Sequence, residues 1–207
     1  MIDTAFLITA FVTMFVVIDP IGLAPLFVAL TQGMPKRQKH SIALRACGLG
    51  MAILIVFALF GEAVLGFVGI SMPAFRVAGG ILLFLTALDM LFERRTKRRE
   101  DQSEDSSNDD PSVFPLAIPL IAGPGAIASV ILLTGQKPGV EGLALVLAIT
   151  ALVLGVCLGL FLASHILERA LGKTGITVVT RLLGMLLAAL AVQFVLDGLR
   201  NFGLLPG

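Results

Sequence analysis

Asp19 and Pro20 stand side by side in the middle of a long apolar run that begins near residue 5. If that run crosses a bilayer as a helix, the carboxylate lies roughly 21 Å into it, close to the membrane centre. A carboxylate at that depth costs at least about 2.5 kcal/mol, and such residues usually mark a path for an ion or a substrate. Asp before Pro is also a common helix start, with Asp as the N-cap. The two roles are compatible, because a capping carboxylate beside a cavity can also hold a proton, Na⁺ or an ammonium group.

A second proline inside an apolar run occurs in Gly123-Pro124-Gly125, about 10 residues after that run begins. Proline has no N–H for a helix and glycine leaves helical angles cheaply, so both places predict a break. In hydrocarbon a break survives only inside protein or beside water, and the helix that begins there offers N–H groups and partial positive charge to an anion. The alternative is a pair of proline kinks whose freed backbone groups are satisfied by neighbouring helices.

Two arginines, Arg76 and Arg181, begin later apolar runs. Each could pair with Asp19 or with a substrate carboxylate, or could anchor its helix end by snorkelling. Ser129 could line a polar path or bond its own helix, whereas Asp197 lies near the end of a run, where charge is tolerated. The candidate substrate- and ion-binding set joins both proline sites to the two arginines: Asp19, Pro20, Gly22, Pro25, Ala122, Gly123, Pro124, Gly125, Ser129, Arg76 and Arg181.

The composition places the chain in a membrane. Its 207 residues are 57% hydrophobic and only 14% charged, with a mean hydropathy of +0.99. Soluble domains hold about 45–50% apolar and about 25% charged residues, so the lipid bilayer is the solvent here. The 15 basic and 14 acidic side chains nearly cancel, which excludes a nucleic-acid-binding domain. Because no phosphate-binding, nucleophile or metal-hydrolase motif occurs, we expect neither an enzyme nor a resident metal or cofactor.

Six apolar runs are long enough to cross a bilayer, which takes about 20 residues. The stretch 93–112 is the long polar linker, and its charge and Ser content predict a flexible connector. The halves on either side resemble each other, since Asp19–Leu26 aligns with Gly123–Val130 and Arg76–Gly79 aligns with Arg181–Gly184. The predicted spans lie at about 5–31, 42–68 and 74–92 in a first repeat, 1–92, and at about 113–134, 142–165 and 177–199 in a second repeat, 113–207.

An odd number of spans in each half means that the second half inserts upside down relative to the first. The sequence therefore predicts an all-α membrane protein with six transmembrane helices, built as an inverted 3+3 repeat with broken helices in spans 1 and 4. The small-residue spacings Gly155–Gly159 and Gly184–Ala188 predict close helix packing.

Two stretches, Val17–Phe27 and Phe114–Pro124, resemble the signatures of the MarC family of bacterial inner-membrane proteins. The stretches Arg76–Gly80 and Phe194–Arg200 are similar to the third and sixth spans of that family. The resemblance covers essentially the whole chain except the linker. It implies an integral inner-membrane protein, and the family members with an assigned role resemble exporters or exchangers of small neutral amino acids.

We therefore expect a secondary transporter of a small neutral amino acid or a similar small polar metabolite. In this interpretation the two breaks meet, hold the substrate, and use a proton or Na⁺ as the coupling ion. The expected partners are the lipid bilayer and the small-molecule substrate, and a homo-oligomer is left open. Two alternatives remain: a non-transporting scaffold or sensor that acts through the linker, and a passive channel.

Twelve of the 15 Lys and Arg residues fall in or beside the connections after spans 1, 3 and 5. The positive-inside rule then makes those connections cytoplasmic and both termini extracytoplasmic. We expect a tag at either terminus to be accessible from outside the inner membrane, and a protease to cut the linker only from the cytoplasmic side. A cytoplasmic C-terminus would contradict both the six spans and the inverted repeat.

Overall fold

The computed structural model describes residues 4–94 and 110–204. Regular structure in these residues is helical, and no strand occurs in the described part of the chain. A proline-rich stretch with extended backbone at two residues, here called the proline segment, precedes the fifth helix. The elements are α1 (Thr4–Ile18), α2 (Pro20–Leu30), α3 (Lys36–Val68), α4 (Met72–Leu91), the proline segment (Ser112–Ile121), α5 (Pro124–Gln136), α6 (Val140–Leu162) and α7 (Ser164–Asn201).

The lengths and composition of these helices agree with a multi-pass membrane protein. Five segments are long and apolar enough to cross a bilayer: α1 with α2, α3, α4, α6 and the part of α7 from Thr174. The proline segment and α5 form a pair bent by 51°, which makes a sixth span if the pair crosses as one unit. The span formed by α1 and α2 is 56% buried, whereas the other four are 17–33% buried. The broken first span is therefore more buried than the four unbroken spans.

The outer helices of each half pack on the broken span of the other half. The half-helix α2 packs on α6 and α7, while α5 packs on α3 and α4. The proline segment lies on α3, and α1 contacts α5, α6 and α7. Between α2 and α6, the rings of Phe27 and Phe161 stack with their centroids 4.6 Å apart. The two halves are thus interleaved around a shared core.

Among the described elements, α4 and α7 make the most extensive contact, and glycines allow their backbones to approach closely. A Cβ atom on Gly80 would lie 2.8 Å from the carbonyl oxygen of Ala191, and one on Gly184 would lie 3.2 Å from that of Ala87. Contacts of this kind, between a glycine and facing backbone, are how helices come together in lipid. The packing predicted around Gly184 is confirmed.

The packing predicted for Gly155–Gly159 is wrong within the described chain. Both glycines are exposed on α6, and a Cβ atom on either would meet nothing within 4 Å. The four-residue spacing is the same as that of Gly184 and Ala188, but the face of α6 that carries it points away from the other helices. Spacing alone therefore does not predict which small-residue stripe is used.

Ordered structure extends into both ends of the stretch predicted to be a flexible linker, whose middle, residues 95–109, lies outside the described residues. Glu93 forms an ion pair of 2.7 Å with Arg181. The carboxylate of Asp110 accepts hydrogen bonds from the hydroxyl and the backbone N–H of Ser112, at 2.7 and 3.0 Å, and pairs with Arg45 at 3.3 Å. The bonds from Ser112, more than the charge of Arg45, hold the pKa of Asp110 below its ordinary value.

Substitution of Gly80 by Leu tests the α4–α7 packing. The added side chain has to displace the backbone of α7 at Ala191, and overpacking of this kind costs about 1–3 kcal/mol. We expect a clear loss of thermal stability for the purified protein in detergent. Gly155→Leu is the matched control, because it adds the same side chain where nothing lies within 4 Å. Equal melting temperatures for the two variants would show that α4 and α7 do not pack as described.

Candidate functional site

The first break is a single residue, Asp19, which joins α1 to α2. Its backbone is left-handed (φ 55°, ψ 62°) and the residue is fully buried. Pro20 disfavours helical geometry for the residue before it, and Asp is one of the few residues that adopt left-handed angles readily. The N–H of Asp19 donates to the carbonyl of Phe15 at 2.9 Å, and its own carbonyl accepts from Leu23 at 3.0 Å. One helix therefore ends and the next begins at the same residue.

The carboxylate of Asp19 caps α2. Its Oδ1 accepts the N–H of Gly22 at 3.1 Å. Gly22 leaves room for this carboxylate, because a Cβ atom on residue 22 would overlap it in its capping position. Pro20 occupies the first position of α2, where its missing N–H is harmless, and Pro25 lies inside the helix. The positive end of α2 is therefore already occupied by a negative charge of the chain itself.

The second break is wider. Phe114 and Ile118 are extended, the peptide bonds Phe114–Pro115 and Ile118–Pro119 are cis, and the N–H of Ala122 donates to the carbonyl of Ala117 at 2.9 Å. Gly123 is extended and Pro124 begins α5. A Cβ atom on Gly123 would meet the carbonyl oxygen of Pro119, so only glycine fits this turn.

The start of α5 differs from the start of α2 in its capping. No side chain caps α5 within the described residues. A helix of 13 residues with an uncapped N-terminus presents N–H groups and a partial positive charge, which suits a carboxylate or another anion. The two half-helices are thus chemically complementary: one carries its own carboxylate, and the other has a position for one.

The structure brings the two breaks close together. A Cβ atom on Gly125 would lie 3.2 Å from Cγ1 of Val17, two residues before Asp19, and 3.6 Å from the hydroxyl of Thr86 in α4. The hydroxyl of Ser129 donates to the carbonyl of Gly125 at 2.8 Å, so this buried side chain bonds its own helix. At this contact the backbone of Gly125 therefore faces the side chains of Val17, Leu83 and Thr86, and Asp19 follows two residues after Val17.

The two arginines lie away from the breaks, at opposite ends of the bundle. Arg181 is half exposed and pairs with Glu93. This pair lies at the end of the bundle from which the linker leaves, called the linker end below. Arg76 is 8% exposed and lines a cavity of about 400 Å³ at the other end, called the terminal end, beside Ala5. The Nε of Arg76 has no hydrogen-bond partner in the described part of the chain.

Three polar residues of this cavity lie outside the candidate set predicted from the sequence. Asp197, Gln136 and Gln193 line it with Arg76, and the amide of Gln193 donates to the Asp197 carboxylate at 2.8 Å. The spacing of four residues between Gln193 and Asp197 puts both on one helix face, which was the available signal. From the sequence alone, Asp197 is interpreted as a charge that is tolerated near a span end.

The chain matches the family described as MarC family integral membrane protein over residues 4–202. It is 38% identical to a UPF0056 membrane protein of Methanocaldococcus jannaschii, over 96% of this chain and 98% of that protein. It is 36% identical to one of Aquifex aeolicus (94% and 92%) and 35% identical to YvbG of Bacillus subtilis (95% and 95%). No solved structure matches it. The resemblance seen in the sequence is confirmed, and this multi-pass protein, in contact with the lipid bilayer, belongs to the MarC family.

Proposed function

We propose that this protein is a secondary transporter that moves a small neutral amino acid, or a similar small polar metabolite, across the bacterial inner membrane with both termini extracytoplasmic. The observation that carries the proposal is the meeting of two broken helices inside the bundle, where Gly125 lies against Val17 and Asp19 is fully buried. Secondary transporters place substrate and ion sites at such discontinuous helices near the bilayer midplane.

The packing supports an inverted repeat. With the offset between Pro20 and Pro124, which is one residue shorter than the offset that aligns Arg76 with Arg181, Gly80 corresponds to Gly184 and Ala191 corresponds to Ala87. Gly80 faces the carbonyl of Ala191, and Gly184 faces the carbonyl of Ala87. The contact is therefore reciprocal, as a twofold relation between the halves requires. The exchange of partners between the broken spans has the same symmetry, since α2 packs on α6 and α7 while α5 packs on α3 and α4.

The chemistry of the breaks suits a zwitterion. The uncapped start of α5, where Gly125 is the first residue with an N–H, receives the substrate carboxylate through backbone N–H groups and the helix dipole. The carboxylate of Asp19 supplies the negative charge for the ammonium group or for the coupling proton or Na⁺. Because the capping oxygen of Asp19 stays with Gly22, the site keeps its shape when the substrate leaves.

The Asp19→Asn variant removes the charge of the side chain at position 19 and keeps its size and shape. Asn tolerates left-handed backbone and caps a helix nearly as well as Asp, so insertion and folding should persist. Concentrative uptake of alanine into proteoliposomes, and its dependence on pH or Na⁺, should fall about tenfold or more. Asp19→Ala should also lower stability, by about 2 kcal/mol, because the cap and the left-handed preference are both lost. Full uptake by Asp19→Asn, with unchanged ion dependence, would contradict a role for this charge.

Two further variants separate the proposal from its alternatives. In Gly125→Leu the new side chain enters the space beside Val17, so uptake should fall while ion dependence is kept.

Replacing residues 101–109 with a Gly/Ser tract of equal length should leave uptake intact, because the reach of the connector is preserved. Loss of uptake by a folded linker variant would favour a scaffold or sensor, and uptake that never exceeds equilibrium would favour a passive channel.

A further inference from the structure

The cavity at the terminal end is separate from the breaks. Thr9 lines it from α1 and Gln136 lines it from α5. Both are 10 or more residues from the broken ends of their helices at Asp19 and Gly125, which corresponds to about 15 Å along each helix. Its volume of about 400 Å³ lies in the range of small-molecule sites. A ligand here would therefore occupy a different position from one held between the breaks.

Arg76 gives the cavity a positive pole that needs an anion. Only 8% of the surface of Arg76 is exposed, and its Nε has no hydrogen-bond partner in the described residues. A buried guanidinium without a counter-charge is costly, and its planar donors suit a carboxylate better than any other common anion except phosphate. The guanidinium of Arg76 is therefore a suitable binding group for a ligand carboxylate in this cavity.

Asp197 gives the same cavity a negative pole. It is partly buried, and its carboxylate accepts a hydrogen bond from Gln193, which fixes its orientation. Among the described residues no ion pair joins Asp197 to Arg76, although both line the cavity. One cation and one anion that share a cavity without pairing are complementary to a molecule with both charges.

At the other end of the bundle the same residue types are in direct contact. Subtracting the offset between Pro20 and Pro124 from Asp197 gives Glu93, and Arg181 lies one residue beyond the position equivalent to Arg76. Arg181 and Glu93 pair directly at 2.7 Å. An arginine on one of the helices α4 and α7 can therefore reach an acid at the end of the other when nothing separates them.

We propose that the terminal-end cavity binds a small α-amino acid as its zwitterion, with Arg76 holding the carboxylate and Asp197 the ammonium group. The choice of amino acid rests on the proposed function, whereas the requirement for two opposite charges rests on the cavity alone. Gln136 and Gln193 add amide groups that can bond either end of the ligand. The cavity is then a first docking position, occupied before the substrate reaches the breaks.

The absence of Trp and Tyr from the chain makes a direct binding assay possible. Phe6→Trp places one fluorophore in the cavity wall, and Phe67→Trp places one on an exposed face as a control. In nanodiscs, alanine should change the emission of the Phe6→Trp protein and leave that of the Phe67→Trp protein unchanged. Propionate and ethylamine, which each lack one charge, should bind about tenfold or more weakly than alanine.

Charge variants made in the Phe6→Trp protein assign the two poles. Arg76→Gln and Asp197→Asn should each weaken alanine binding about tenfold or more, and Arg76→Gln should weaken propionate but not ethylamine. Arg200→Gln and Glu141→Gln are the matched controls, because both side chains are exposed and lie near the same end. Asp197 is the less buried pole, so its variant serves if Arg76→Gln fails to fold.

Transport measurements keep this inference distinct from the proposed function. Alanine binding that depends on both poles, in a protein without concentrative uptake, would support the cavity site and refute the transporter. Concentrative uptake with an unchanged KM in Arg76→Gln and Asp197→Asn would support the transporter and overturn the cavity site. No emission change with alanine, or equal affinity for alanine and propionate, would also overturn it.

Discussion

The hydrogen bond from the N–H of Gly22 to the carboxylate of Asp19 closes a break in a span that is more buried than the four unbroken ones. Inside a bilayer every backbone polar group has to be satisfied by the protein, so a helix that stops in mid-membrane needs a local partner. Asp19 supplies that partner and tolerates the left-handed angles that turn the chain toward Pro20. Burial then follows as a requirement, because the charge and the exposed backbone have to be kept from lipid. The outer helices α3, α4, α6 and α7 surround the broken spans for this reason.

The two breaks satisfy the backbone groups at their helix starts in different ways. As a result, one helix start carries a negative group and the other keeps a partial positive charge. The start of α2 is neutralised by the Asp19 carboxylate, whereas α5 begins at Gly123 and Pro124 with no side-chain cap. A symmetric pair of self-capped helices would leave no place for an anion, and a pair of uncapped helices would leave two unmatched positive ends. One of each provides a negative and a positive group near the contact between Gly125 and Val17. This pairing suits a ligand that carries both charges.

Local chemistry made much of the fold predictable, since proline and its neighbours act over one helical turn. The starts of α2 at Pro20 and α5 at Pro124 follow from that chemistry, as does the all-helical, multi-pass class. Features that depend on which faces meet were not predictable. The stripe at Gly155–Gly159 has the same spacing as the one at Gly184 but contacts nothing within the described chain. Asp197 and Arg76 line the same cavity only because α4 folds against α7. The sequence alone therefore indicates no more for Asp197 than a charge near a span end.

The close α4–α7 contact limits how the terminal-end cavity can change. Gly80 and Gly184 bring each helix against the backbone of the other, and packed backbone does not separate by small amounts without losing these contacts. The cavity lies between this pair and the ends of α1 and α5, since Thr9 and Gln136 form part of its wall. A change in its volume therefore requires the broken spans to move relative to α4 and α7, rather than α4 relative to α7. The breaks at Asp19 and Gly123 are the places where those spans can bend, so a transport cycle that closes the cavity would also reshape the contact between the breaks.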